Sequence, residues 1–494
     1  MLEIMENTNK EMRTRAEHLI QNAILNTAYK CLNVLFPLIA IIYASNILCA
    51  EGIGKVAIAQ NAAQYFVLLA PLGLPNYGTK CVARVRNNKE ALNKVFSELF
   101  FINFLSTLLC VCGYYSMILI GGYFAEQRIL FAISGLAIVF NFINVDWLFL
   151  GIEQYKYITI RNLWVKLLSL VLLLLLVTSK EDYKKYALIY VWAIGLNNIF
   201  NLLKLKSLGV VFSFRYMKIK RHLIPLLLLL INSVSIELYT LFDTSMLGYM
   251  CSDEVVGCYT NAVKLVRVLV TLLTAASGVL LPRMSHIHEQ EPERDLSYIV
   301  NGVLTVMIYF MIPCMVGICT LSGNIMLFLY GESFLMAGKT LFLASFLIPV
   351  LSLSFVFGAQ VLLTYNCEWK LLVCSMIGAV SNVFLNIILI PRFYQDGAII
   401  ASIASELLVA FFTFAFSKKY IHYKLKCKDA IFVIIGSLIV FLSVKFVLSL
   451  GLSNNAKVCI GIAVGVVTYF AFNILLNTER KKQILELLNK RHNG

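Results

Sequence analysis

The feature that most restricts this chain is a series of apolar runs, each about as long as a bilayer is thick. A helix rises 1.5 Å per residue, so roughly twenty apolar residues cross the hydrocarbon core. Runs meeting that requirement lie near residues 19–48, 56–79, 95–121, 128–150, 158–178, 186–206, 223–250, 255–281, 298–322, 340–365, 370–390, 397–416, 430–450 and 456–476. The second and seventh are the least continuous, and the breaks carry charges, Gly or Pro, as at 121–128 and 390–397. In lipid every backbone amide must find its partner within the spanning segment, which leaves helices as the form for such runs. The expectation is an all-α membrane protein of about fourteen transmembrane helices. Composition agrees, with 60% hydrophobic and only 14% charged residues over 494 positions. A soluble domain carries roughly 25% charged residues and could not hide this much apolar surface in one core.

Charge then sets orientation. Of the 42 Lys and Arg residues, 29 fall at helix ends on the side of the N-terminus and 8 on the opposite side. The excess of basic residues on one side predicts that both termini face the cytoplasm and that the helix number is even. It also accounts for the net charge of +15 as topogenic residues beside an anionic leaflet. No folded module presents these clusters to a nucleic acid, so none is expected as a partner. The polar opening 1–18 precedes a run too long for a signal-peptide core, so no cleaved leader is expected. The thirteen cysteines are dispersed through apolar runs without a paired framework. Cys49 and Cys251, both in external loops, are the one disulfide that this arrangement leaves open.

A weak internal repeat divides the chain. The loop at 49–63 follows the first helix, and the loop at 251–265 follows the seventh. Matching Gly54 to Gly257 places Lys80 on Arg283, each at the same end of the next helix. Six helices then repeat in parallel orientation, which predicts one lobe over 1–210, a second over 211–420, and two further helices with a tail over 421–494. Two lobes rocking about a central cavity is an alternating-access design.

A charge at the centre of a membrane helix costs about 2.5–3.5 kcal/mol on insertion scales, so each one inside a run needs a reason. Lys264 and Arg267 share a face of the eighth helix at i, i+3. With Lys30 on the first helix and Lys166 on the fifth they are the candidate substrate-binding cations, suited to a phosphate or pyrophosphate. Ion pairing within the membrane is the competing use for them. Lys445 reads as snorkelling outward. Glu237 and Asp243 on the seventh helix are candidates for coupling to a cation or proton, with a salt bridge as the alternative. Glu406 stands alone among small residues, while Glu98 and Asp146 lie near the interface. All six histidines fall at predicted cytoplasmic ends, with none placed to relay protons. His286 and His288 lack further metal ligands. No nucleotide-binding loop, nucleophile elbow or dinucleotide fingerprint occurs, so neither a cofactor nor an enzymatic activity is expected.

Several stretches resemble a family: NTAYKCLNVLFPLIAIIYASNILCAEGIG at 26–54, LGLPNYGTKCVARVRNNKE at 72–90, NVDWLFLGIEQYKYITIRN at 144–162 and LFDTSMLGYMCSDEVVGCYTNAVKL at 241–265. LPRMSHIHE at 281–289, GESF at 331–334 and SNVFLNIILIPRFYQDGAIIASIASE at 381–406 continue the pattern in order. Together they resemble the Wzx-type O-antigen flippases of the MOP superfamily. The resemblance implies a MATE-like fold with an alternating cavity, in the bacterial inner membrane. It implies a cargo of oligosaccharide on undecaprenyl pyrophosphate, moved to the outer leaflet for O-antigen, capsule or exopolysaccharide synthesis. It also implies hand-over to a glycan polymerase and chain-length machinery, and coupling to an H+ or Na+ gradient. Asp146 and Glu153 match the family pattern at the end of the fourth helix, in a gating or structural role. The last two helices are similar to a pair that forms a lipid-tail groove in the lipid II flippase. Rival readings are a flippase for another lipid-linked precursor, a MATE-type small-molecule antiporter, whose cavity would be acidic, and a membrane glycosyltransferase, which would need a large external loop. The identity of the sugar would rest on polar side chains such as Gln60, Asn61 and Gln64.

Overall fold

A computed structural model describes residues 2–213, 218–278, 280–291, 294–424 and 427–476, with the side chains of 2–35, 123, 228, 231–240, 276, 278, 282–283 and 476 outside that description. The helices are α1 (Leu2–Leu69), α2 (Leu74–Val85), α3 (Lys89–Ile120), α4 (Arg128–Phe140), α5 (Asp146–Gly151), α6 (Tyr155–Leu176), α7 (Tyr183–Leu208) and α8 (Lys220–Met250). They continue with α9 (Asp253–Gly278), α10 (Leu280–Gln290), α11 (Ser297–Tyr330), α12 (Ala337–Ala344), α13 (Leu347–Ser354), α14 (Glu368–Ser417), α15 (Cys427–Ser449) and α16 (Asn454–Leu476). The apolar runs fall on one or two of these helices, except that the run near 340–365 covers α12 and α13 and continues through a π-helical segment at Phe355–Leu362, and the protein is an all-α, multi-pass membrane protein. Two helices are longer than any bilayer needs, and each is broken by a residue of positive φ. Cys49 (φ 58°) divides α1, and Tyr394 (φ 52°) divides the 50-residue α14. Ten stretches among the described residues are long and apolar enough to span a membrane. Large side chains such as Trp164, Leu175, Ile434 and Val467 stand exposed along them, which only lipid would tolerate on this scale.

The ends of the helices follow local chemistry. Asn88 starts α3 by accepting a 3.0 Å hydrogen bond from the Ala91 N–H, satisfying one of the donors that a helix leaves open. Gly209 stops α7 in the left-handed region (φ 63°), its N–H bonded back to Leu205 and Lys206, a conformation glycine enters without a Cβ penalty.

The chain separates into two compact units, the first comprising residues 1–48 and 52–245 and the second 49–51 and 246–494. In the first, Leu74, Phe96, Leu99, Trp147, Phe149 and Leu226 form one core, with the Phe96 and Trp147 rings stacked at 5.8 Å. A second core joins Val56, Ala59, Tyr114, Ile118, Leu130 and Phe131. The Tyr114 hydroxyl inside it donates to the Phe131 carbonyl at 2.9 Å. In the second unit Met284, Val300, Val356, Phe357 and Val361 form the core. The final helices are fastened there by polar contacts: Tyr469 donates to the Tyr309 carbonyl at 2.6 Å, and Tyr309 to Asp429 at 3.0 Å. Asn324 bonds Asn454 at 2.7 Å. Cys49 and Cys251 are thiols, so the disulfide left open by the sequence does not form.

Candidate functional site

Two chemically opposite spaces lie inside the two units. The first is a small cavity of about 80 Å³ within the first unit. Its walls follow helical arithmetic, since residues three or four apart share a face. Gln60 and Gln64 come from α1, Ser134 from α4 with Asn141 just beyond it, and Tyr190 and Asn198 from α7. Gly195 lets α7 approach α4, because a Cβ there would sit 2.5 Å from the Phe140 ring. That approach brings the Asn198 side-chain amide within 2.9 Å of the Phe140 carbonyl. Asn141 is held by its own donors to Asn103 at 3.1 Å and Thr107 at 2.9 Å. Its carbonyl in turn accepts from Asn103 at 2.8 Å. These amides are occupied in shaping the wall. The Gln60 Nε2 and the Ser134 hydroxyl are different, being buried with no hydrogen-bond partner among the described residues. Gln64 and Tyr190 are exposed at the rim. Asn61, grouped with the two glutamines by sequence, turns away and donates to the Leu241 carbonyl at 3.0 Å and the Ser245 hydroxyl at 2.8 Å.

The second space is an apolar groove of about 380 Å³ within the second unit. It is walled by Leu265 and Leu269 of α9, by Ile318 and Leu321 of α11, and by α15 and α16 through residues such as Val444 and Val466. The cations Lys264 and Arg267 lie on the same α9. Successive helical residues are about 100° apart, which turns Arg267 nearly opposite the leucines and Lys264 to the flank between them. Both are half-buried, and the Lys264 ammonium has no hydrogen-bond or ion-pair partner among the described residues.

The other expected site residues are distributed as follows. The side chains of Lys30 and Glu237 lie outside the described residues. Lys166 is half-buried on α6, its Nζ 5.9 Å from the centre of the Phe36 ring. Asp243 on α8 is 2% exposed. Asp146 accepts from Arg161 at 2.9 Å and from Asn201 at 2.6 Å, while Arg161 also bonds Asn162 at 3.0 Å. This ties the start of α5 to α6 and α7. Glu153, in the left-handed region at φ 60°, pairs with Arg86 across the ends of α2 and α5. Lys166 and Asp243 thus belong to the first unit, and Lys264 and Arg267 to the second.

One network escaped sequence reading. Glu98 is fully buried on α3 and accepts from the Lys218 N–H at 2.8 Å and from Arg221. It also bonds His222 Nε2 at 2.8 Å, and His222 Nδ1 bonds the Tyr77 hydroxyl at 2.9 Å. Placed at a helix end by sequence, His222 is 3% exposed. With Val211 bonded to Asn93 at 3.2 Å and Ser213 to Ser97 at 2.9 Å, the α7–α8 connection is laced onto α3. The only hint in the sequence is an acid early in a membrane run and an Arg-His pair more than a hundred positions later. Among the described residues no group of His, Cys, Asp and Glu is arranged to hold a metal.

A family model described as "Polysaccharide biosynthesis protein" matches residues 19–288. A candidate O-antigen transporter of Shigella dysenteriae is 25% identical over 394 residues, covering 77% of this chain and 95% of that protein. Among solved structures, the lipid II flippase MurJ in an inward closed conformation superposes with a TM-score of 0.73 at 18% identity, covering 93% of this chain and 99% of its own. An inward-facing multidrug resistance MATE transporter of the MOP superfamily reaches 0.55 at 15% identity, covering 80% and 97%. At such identities the likeness is one of fold, and the fold is the MATE-like one that the sequence led us to expect. With the family model spanning more than half of its length, the chain belongs to the polysaccharide biosynthesis protein family.

Proposed function

We propose that the protein is a flippase for oligosaccharide repeat units on undecaprenyl pyrophosphate, moving them from the cytoplasmic to the outer leaflet of the bacterial inner membrane. The observation that carries this reading is α9, which walls an apolar groove with Leu265 and Leu269 and bears Lys264 and Arg267 on its other side. An amphiphilic pyrophosphate needs both chemistries: apolar contact along a long tail, and cations that replace the hydration of its headgroup. An ammonium in the membrane with no partner among the described residues is costly unless a ligand completes it, and that argues against a purely structural role for Lys264. The names of the relatives, an O-antigen transporter and a lipid II flippase, support the same class of cargo. A small-molecule antiporter of the same fold has no evident use for the groove.

In this reading the lobes over 1–210 and 211–420 alternate access about the substrate, with both termini cytoplasmic and the two extra helices of 421–494 supporting the lipid tail. Lys30 and Lys166 assist the headgroup cations. Glu237 or Asp243 couples movement to an H+ or Na+ gradient, and a glycan polymerase with its chain-length machinery receives the product.

The test is transfer of undecaprenyl-pyrophosphate oligosaccharide across proteoliposomes containing the full chain, read by accessibility of the glycan to an external glycosidase. Wild type should equilibrate the leaflets, and Lys264→Ala or Arg267→Ala should slow transfer at least tenfold while the protein remains inserted. No transfer by wild type, or unchanged rates in both variants, would overturn the assignment. Imposed ion gradients should speed wild type and leave Glu237→Gln unaffected; retained acceleration in that variant would remove Glu237 from coupling.

A further inference from the structure

The cavity of the first unit has no part in holding a tail or a pyrophosphate, and its chemistry asks for a different ligand. It contains no ionised side chain. Among the described residues its free groups are the Gln60 Nε2 and the Ser134 hydroxyl, both buried without a partner, with the exposed Gln64 and Tyr190 also on its wall. Ser134 is 1% exposed and its residue belongs to the wall of the cavity. Buried polar groups left unmatched inside a membrane domain are costly, so something polar must fill the space. About 80 Å³ is room for roughly five to eight waters at 10–15 Å³ each.

The occupant is narrowed by what the wall lacks. A phosphate or carboxylate would need a cation, and none of the lining residues is one. A metal ion would call for carboxylates among its oxygen ligands, and the wall has none. The unused groups are an amide N–H and a hydroxyl, which ask for neutral oxygen acceptors. Gln64 at the rim can both donate and accept, and the exposed Tyr190 ring offers a flat apolar face beside them. Hydroxyls or an acetamido oxygen on a ring with an apolar C–H face combine these features.

We propose that this cavity binds one neutral sugar residue, hydroxylated or N-acetylated, of the cargo glycan, with Gln60 and Ser134 as the reading groups. The proposal rests on the transport reading only for its choice of glycan, and it assigns recognition to residues other than the cations of α9. It implies that cargo preference changes through Gln60, Gln64 and Ser134 while Lys264 and Arg267 serve any pyrophosphate.

The experiment uses the full chain in nanodiscs with free N-acetylglucosamine and free glucose as probes, neither carrying lipid or phosphate. Saturation-transfer NMR should show at least one of them receiving saturation from the wild-type protein, with their binding weakened at least tenfold in Gln60→Leu and in Ser134→Ala. Thermal melting of each variant verifies that it is folded, and Ser134→Ala, which removes a single oxygen, stands if the larger change does not fold. No saturation of either sugar by wild type would overturn the proposal and leave water as the occupant. Undiminished binding in both variants would overturn it too, by placing the sugar elsewhere. A failed sugar result with intact transfer of the lipid-linked glycan removes this site alone. Sugar binding without transfer removes the transport reading and keeps the site.

Discussion

The two internal spaces differ in what their walls leave undone. In the first unit helices meet through amides, hydroxyls and charges, most of them matched. Asn103, Thr107 and Asn141 bond one another, Asp146 meets Arg161 and Asn201, and Glu98 has three kinds of donor. Among the described residues, two buried groups on the cavity wall, the Gln60 Nε2 and the Ser134 hydroxyl, lack a partner. In the second unit the groove is walled almost wholly by aliphatic and aromatic carbon. Nothing there is unsatisfied, because carbon has no hydrogen bond to lose. The comparison teaches that one bundle fold can present a space defined by unmet polarity and another defined by its absence. A carrier of glycolipids needs both.

The comparison can be broken at its strongest point first. Glu98→Ala leaves Arg221 and the Lys218 N–H without their buried acceptor, and removing one partner of such a group costs about 3–5 kcal/mol. Because Arg221 is half-exposed, the lower end is expected, read as a fall in thermal stability in detergent. An unchanged melting point would mean that the matched network contributes nothing. Next, Ile318→Asp puts a carboxylate into the apolar groove at about 2.5–3.5 kcal/mol. It should slow glycolipid transfer while leaving free-sugar binding intact, and a variant that transfers normally would show that the groove does not meet the tail. The smallest effect has the opposite sign. A buried hydroxyl without a partner costs about 1–3 kcal/mol, so Ser134→Ala should stabilise the folded protein by up to about 1 kcal/mol while it weakens sugar binding. Stability gained together with function lost marks a polar group kept for a ligand. Stability lost would mean that Ser134 has a structural partner.

Much of the architecture was legible in the amino-acid order, because bilayer thickness and backbone hydrogen bonding leave apolar runs so little choice. The runs near 298–322 and 186–206 lie wholly within α11 and α7. Sites were legible in proportion to how local their logic is. Lys264 and Arg267 announce themselves by charge inside an apolar run, and Asp146 and Glu153 by family pattern. The first pair sits beside a groove, whereas the second pair is bonded to Arg161 and Arg86 at helix ends. Gln60, Asn61 and Gln64 were visible as polar positions whose facing the sequence leaves open, and only the fold shows that Asn61 is spent on Leu241 and Ser245. His222 was placed at a helix end, where it lies near the start of α8, but its burial against Glu98 was not legible because that partner is 124 positions away.

By itself, then, the sequence determined the solvent of this protein, the helical form of its segments and the family it belongs to, since hydropathy, period and motif are properties of neighbouring residues. The tertiary structure decided which polar atoms meet and which are left over. Whether a buried amide is a strut or a reading group depends on side chains brought to it by other helices, as α4 and α7 are brought to α1 around Gln60. No local pattern encodes that, because a hydrogen bond is satisfied in space and not along the chain.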